Sequence, residues 1–261
     1  MPAIRYSCHY QKSREGEQFV PGHALSYIQA GETMISDTEG TRVFTSGDLY
    51  FLRRNHLAKF QKTPPENGDY KSIAILFPQE LLRNFSLKYG YSSGQKTAWP
   101  AFMPLTSQPV LVNYMESLTE YETLLGKPGS EALLLLKQEE ALLLLLRLHP
   151  EFADILFDFT EPGKIDLEAF MNKNFHFNVS LERFAYLTGR SISTFKRDFE
   201  KIFSITPSRW LQKRRLEEAY YLLKEKHKSV SEIYLGLGFE DLSHFSFAFK
   251  KQYGVAPSLV A

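Results

Sequence analysis

Apolar positions change their rhythm along this chain. Up to about residue 80 they fall in short runs rich in Val, Ile, Phe and Tyr. Residues 23–30, 42–45, 48–53 and 72–77 are predicted strands of this kind. Turn residues separate them at Glu15-Gly16, Ala30-Gly31, Glu39-Gly40, Ser46-Gly47, Thr63-Pro64-Pro65 and Asn67-Gly68. Short strands at this spacing predict an antiparallel barrel or sandwich. After that the rhythm turns helical. Residues 78–89 predict a helix on Leu81, Leu82, Phe85 and Leu87, residues 90–109 a loop, and residues 110–125 a second helix. Gly126-Lys127-Pro128-Gly129-Ser130 breaks the chain, and residues 131–148 predict a helix with leucine on more than one face. Packing against the barrel hides one face only, so the other needs a partner. That partner is the helix at 110–125, the C-terminal domain or a second copy. A homodimer contact through Glu131–Leu148 is the favoured reading.

The breaker pair Pro162-Gly163 sets a boundary near residues 158–164. Two domains are therefore expected, 1–160 and 161–261. Asp166 is expected to cap a helix at 167–174. Two helix-turn-helix patterns follow, at 180–201 and 229–252. Each reads as a short helix, a tight turn at Gly189 or Gly238, and a second helix opened by Ser191 or Asp241. Leu181, Phe184, Ala185 and Leu187 form one apolar stripe, and Phe195, Phe199 and Ile202 the next. In the second unit Ile233 and Leu237 face Phe245 and Phe249. Between the units a linker helix opens with Thr206 as cap and Pro207 at its first position, and runs to about Lys224.

The chemistry lies between the stripes. A recognition helix sets the exposed residues of its N-terminal end against base edges. On the first such helix these are Ser193, Thr194, Lys196 and Arg197, with Ser191 at its start and Lys201 near its end. On the second they are Leu242, Ser243, His244 and Phe247, with Asp241 at its start and Lys250 and Lys251 beyond. Lys213, Arg214 and Arg215 stand in a row on the linker helix. Such a run is either a solvated face or a set of phosphate contacts, with Lys213 and Arg214 the candidates.

These residues carry a resemblance. The Phe-Lys-Arg-x-Phe run ending at Phe199, Arg215-Leu216-Glu217-x-Ala219, Gly238-Phe239, Phe245-Ser246-x-Ala248-Phe249-Lys250-Lys251 and Gly254-Val255-x-Pro257 occur in the order seen in AraC/XylS-type regulators. The last hundred residues or so resemble the DNA-binding domain of that family. The resemblance implies two recognition helices per monomer in successive major grooves of double-stranded DNA. Activation through contact with RNA polymerase is its further implication. Three positions depart from the family pattern. Ser204 replaces a common Gly, Tyr234 a small Ala, and Phe247 a polar or basic residue. With Leu242 near it, Phe247 either reads thymine methyl groups or local shape, or is buried. The segment Gly47-Asp48-Leu49-Tyr50-Phe51-Leu52 resembles the turn and strand of small cupin-type barrels, which often precede such a DNA-binding domain. The expected fold class is therefore α+β and multi-domain: a cupin-like antiparallel β-barrel with following helices, then an all-α domain.

Charge sharpens this picture. The net charge of +1 is uninformative, but residues 161–261 hold 16 Lys/Arg against 12 Asp/Glu, and residues 1–160 hold 15 against 18. The basic half is the half with the helix-turn-helix patterns, as phosphate binding requires. A single cysteine, Cys8, excludes an intrachain disulfide and a multi-cysteine metal site. His9, His23 and His56 form no His-x-His pair, so neither a metal nor another cofactor is expected. Tyr6, Tyr10, Phe19, Tyr27, Phe44, Tyr50, Phe51 and Phe60 either fill the barrel or line a pocket for an apolar or sugar-like effector. A regulatory protein is an alternative effector. The N-terminus lacks an apolar signal segment and the Leu-rich run is interrupted by charges, so a cytoplasmic protein without membrane contact is expected. The rival reading is a cupin-type small-molecule binding protein or enzyme with an accessory helical domain. No nucleophile–base pair, paired carboxylates or phosphate loop supports it.

Overall fold

Residues 3–14, 18–94, 99–105, 108–125 and 127–260 are described by the computed structural model. The expected Glu15-Gly16 turn and the Gly126 end of the predicted break lie outside them. Two compact units divide the chain: one runs up to Thr160, the other from Glu161 onward with a short stretch around Phe19.

The early apolar runs pair as strands. In chain order these are β1 (Ile4–His9), β2 (Ser13–Arg14), β3 (Phe19–Val20), β4 (His23–Ala30), β5 (Glu32–Ser36), β6 (Thr41–Thr45), β7 (Leu49–Leu52), β8 (His56–Leu57), β9 (Lys59–Thr63) and β10 (Tyr70–Phe77). Helix α1 (Gln79–Tyr89) follows, and then strand β11 (Phe102–Leu105). One sheet has the order β1-β10-β4-β7-β11 and another the order β2-β9-β5-β6. The expected antiparallel β architecture is thus present, as paired sheets. Strands β4 and β10 lie centrally in the first sheet, with Ile75 opposite Leu25 and Ile73 opposite Tyr27.

Successive side chains on a strand point to opposite faces. Leu25, Phe51, Ile73 and Ile75 therefore share a core with the helices, while Ile28 and Tyr50 join Ile35 and Phe44 in a second core. Because both faces are covered, residues 23–28 of β4 are all buried rather than alternating. The helical cover is α1, then α2 (Pro109–Ser117) and α3 (Glu122–Leu125), α4 (Glu131–Leu148) and α5 (Ala153–Leu156). Gln138 interrupts the leucines of α4 for a reason: it is buried, and its Nε2 donates to the Leu76 carbonyl at 2.5 Å. Arg54 closes the unit's end by donating to the carbonyls of Asp158 and Thr160, each at 2.9 Å.

Three expectations, for residues 90–109, residues 110–125 and Leu87, need correction here. The predicted loop at 90–109 contains β11, which pairs with β7 at the sheet edge, where Pro104 has no ladder bond to lose. The predicted helix at 110–125 is broken, with a 3-10 turn at Leu118–Tyr121 between α2 and α3. Leu87 is 86% exposed, so α1 buries only Leu81, Leu82 and Phe85. Tyr10 is exposed, and Tyr27, Phe44, Tyr50 and Phe51 are buried in the two cores. A cleft of about 250 Å³ between Asp37–Arg42 and Pro100–Phe102 is lined by none of the eight aromatic residues proposed for a pocket.

Among the described residues no helix is long and apolar enough to cross a membrane. No group of three or more His, Cys, Asp or Glu among them is placed to hold a metal ion.

The second unit is helical. It comprises α6 (Leu167–Asn174), α7 (Leu181–Leu187), α8 (Ile192–Phe203), α9 (Pro207–Lys224), α10 (Val230–Ile233) and α11 (Leu242–Tyr253). Asp166 caps α6 by accepting from the Ala169 amide at 3.0 Å. Thr206 stands at the N-cap of α9 without a side-chain bond, and Pro207 supplies the start.

Candidate nucleic-acid interface

The first helix-turn-helix is α7 and α8. Ser180 accepts from the Arg183 amide at 3.4 Å and Ser191 from the Thr194 amide at 3.3 Å, so each helix starts on a hydroxyl. Between them Gly189 sits at φ 65°, the left-handed region that lets the chain turn within a few residues. Phe184, Phe195 and Phe199 are fully buried, and Phe199 packs on Phe203 and Trp210 at ring distances of 4.4 and 5.6 Å. The inward residue at the end of α8 is Phe203. Ile202, expected in the stripe, is 43% exposed. Arg190 braces the turn: its Nε lies 3.1 Å from Asp198 and its Nη1 donates to the Thr188 carbonyl at 2.7 Å. The Nε–Asp198 bond is the largest cause holding the Asp198 carboxyl below its ordinary range.

This frame presents one face of α8. Ser191, Ser193, Lys196, Arg197 and Lys201 are exposed. Thr194 is half-buried and accepts from the Ser191 hydroxyl at 3.0 Å. Arg197 leaves 66% of its side chain in solvent, its Nε 3.6 Å from Asp198. Ser204, which replaces a common Gly, takes φ 60° and bonds its amide to the Glu200 carbonyl. Serine fills the left-handed cap without rearranging it.

The second helix-turn-helix repeats the plan with α10 and α11. Ser229 and Glu232 form a capping box, Gly238 sits at φ 83°, and Asp241 accepts from the His244 amide at 2.7 Å. Ile233, Leu237, Phe245 and Phe249 share one core with Leu216, Ala219 and Leu223 of α9. Its first helix is short, as expected, a single turn, and Tyr234 follows half-buried against that core. Leu242, Ser243, His244, Lys250 and Lys251 are exposed. Phe247 is also exposed, at 69%, which decides between the two readings of that side chain against burial.

The basic row on α9 splits three ways. Successive helical residues are about 100° apart, so three neighbours cannot share a face. Lys213 is exposed, 3.9 Å from Glu217. Arg214 lies over the Phe175 ring at 4.7 Å and 3.7 Å from Glu218. Arg215 points inward and ties the domain together. Its guanidinium donates to the carbonyls of Phe175, Phe177 and Gly238 at 2.8 to 2.9 Å. Burial lowers its pKa to about 10, still well above neutrality. Arg215 and Arg190 are the scaffold residues that sequence reasoning missed. The 100° step was the available signal for Arg215.

Two capped recognition helices joined by one linker helix are what the resemblance implied, and comparison with known proteins agrees. A helix-turn-helix domain family model matches residues 184–260. The ExsA N-terminal regulatory domain model matches residues 23–155, half of the chain. The chain belongs to the AraC family of transcriptional regulators, with an ExsA-type N-terminal domain. The HTH-type transcriptional regulator ExsA of Pseudomonas aeruginosa is 24% identical over 255 residues, covering 97% of this chain and 90% of that protein. Thermoregulatory protein LcrF of Yersinia pestis is 24% identical, covering 95% and 89%. Virulence regulon transcriptional activator VirF of Yersinia enterocolitica is 25% identical over 241 residues, covering 90% and 87%. The regulator binds double-stranded DNA. It belongs to a non-enzyme family, which sets aside the barrel-enzyme alternative.

Proposed function

We propose that this regulator is an activator whose helices α8 and α11 enter two successive major grooves on one DNA face. The observation that carries this is the repetition within one unit. Two twelve-residue helices, each capped and each preceded by a left-handed glycine, are joined by the single helix α9. Lys196 and Arg197 take base contacts, with Ser193, Thr194, Ser243 and His244 beside them. Ser191 and Asp241 set the helix starts. Lys213, Arg214, Lys201, Lys250 and Lys251 face phosphates. VirF, a virulence regulon transcriptional activator, supports the sign of regulation, and contact with RNA polymerase in the cytoplasm would be its means.

The N-terminal unit receives the input, a small molecule or a regulatory protein, and pairs two copies through Glu131–Leu148. Leu135, Leu136 and Leu143 of α4 remain exposed, beside an open groove of about 460 Å³ that Tyr89, Leu136, Leu143 and Leu144 help to line. Those leucines support the pairing.

Selection of the full chain on random duplexes at fixed salt tests the whole reading. It should enrich two short blocks about 10 base pairs apart, doubled if α4 pairs two copies. Enrichment of a single short block would sink the two-groove model. Arg197→Ala should cost on the order of 1–3 kcal/mol and relax one base position in a binding series on single-base variants. Equal weakening on every duplex would make Arg197 a phosphate contact. Lys213→Ala should weaken all duplexes alike and flatten the slope of log affinity against log salt by about 1. An unchanged slope removes Lys213 from the interface.

A further inference from the structure

Helices α8 and α11 are the same device fifty residues apart. Ile192–Phe203 and Leu242–Tyr253 are both twelve residues long, with N-caps at Ser191 and Asp241 and left-handed C-caps at Ser204 and Gly254. In the same register Phe195 matches Phe245 and Phe199 matches Phe249, all fully buried. Position 197 of the first helix therefore has the same helical phase and depth as position 247 of the second. One carries a guanidinium with 66% of its side chain in solvent, the other a phenyl ring that is 69% exposed.

A single exposed apolar residue is ordinary and explains nothing by itself. Phe247 is set apart by where it stands. It holds the position of Arg197, the leading candidate for a base contact. Ser243 and His244 precede it by one helical turn, and Lys250 and Lys251 follow it by one, all exposed. No aromatic or cationic side chain among the described residues stacks on it. An apolar centre within a polar and cationic rim is the form of an anchoring contact that loses its water on binding. In the major groove only thymine offers an apolar group, its 5-methyl, and phenylalanine is one of the side chains that meets it. Arginine in the same place meets the O6 and N7 acceptors of guanine.

We propose that Phe247 reads a thymine 5-methyl group in the groove entered by α11. Equivalent positions of the two recognition helices then read different chemistry, a guanine in one half-site and a thymine in the other. This rests on the two-groove reading and adds the base class to it. It also fixes the orientation of the site, because the half-sites are no longer interchangeable.

The test uses the full chain and its selected duplex. Each thymine of the second half-site is replaced in turn by deoxyuridine, which removes the methyl group and keeps the base pairing. One replacement should weaken wild-type binding roughly three- to tenfold. Phe247→Ala should show a similar loss on the thymine duplex and no further loss on the uracil duplex, since the cycle then has no methyl contact left to remove. Phe247→Arg should move the preference at that position toward guanine. If no replacement matters to the wild type, or if it costs Phe247→Ala as much, the assignment is overturned. Hydroxyl-radical footprints of the same complexes separate the two failures. A protected second half-site with no methyl effect sinks only the role of Phe247. An unprotected second half-site sinks the two-groove reading and the proposal with it.

Discussion

Gly189→Ala is expected to destabilise the DNA-binding unit by roughly 3 kcal/mol or more and to abolish binding. Two costs add. A residue with a Cβ at φ 65° gives up about 1–2 kcal/mol to the left-handed conformation. The added carbon has nowhere to go: it would fall inside the carbonyl of Gly163 and lie 2.5 Å from the Lys164 nitrogen. These are backbone atoms that no rotamer change can move, so the segment before α6 or the turn itself must shift. Gly254→Ala is the control. Gly254 takes φ 77°, but its Cβ would meet nothing within 4 Å, so only the conformational cost applies. Urea titrations of the two variants should differ by the packing cost, and a duplex-binding measurement should fail only for Gly189→Ala. Equal destabilisation would show that the Gly163 contact yields.

Residues 189–191 and 238–241 were legible in the sequence for a reason. Caps and left-handed turns are local requirements, and Ser191, Asp241, Asp166 and Pro207 answer them within three or four residues of chain. The bounds of β4 and α4 came out of apolar runs for the same reason. What stayed hidden depends on distant partners. Residues 102–105 lie in a stretch whose Gly, Ser and Pro read as loop, yet an edge beside β7 leaves the missing amide of Pro104 unneeded. Ile202 and Phe203 both suit the end of an apolar stripe, and only Trp210 on the next helix decides for Phe203. Arg215 looked like its two neighbours until the carbonyls of Phe175, Phe177 and Gly238 were in place around it. At the candidate interface the spacing located most of the exposed positions of α8 and α11. It left Phe247 undecided, because a phenylalanine fits a core face and a groove-facing position equally well. Burial is a property of the neighbours and cannot be read from one position.

Acidification should weaken the N-terminal unit well before it affects carboxylates. His23 is 1% exposed, stacked on Phe51 at 5.5 Å, and its Nδ1 accepts the Arg54 amide at 3.3 Å. Burial, then the charges of Arg54 and Arg53, pushes its pKa down to about 3. His56 is pushed to about 3 by burial and then by Arg53. In the unfolded chain both titrate near 6.5, so below that pH the unfolded state binds protons that the folded state refuses. The stability they contribute is complete above about pH 6.5 and is lost as pH falls toward 3. At pH 5 His23 costs on the order of 2 kcal/mol, and His56, less enclosed, somewhat less. Asp198 and Glu232 have lowered pKa values, so what they contribute is lost only as pH falls through the carboxylate range. A fall in urea stability between pH 7 and pH 5 therefore reports the histidines. It should shrink in His23→Phe, which keeps the stack on Phe51 without a titrating group, and shrink further when His56→Gln is added. Constant stability from pH 7 to pH 5 in the wild type would mean that the folded unit admits those protons, through water reaching His23 or a shift of Arg53 and Arg54 away from it.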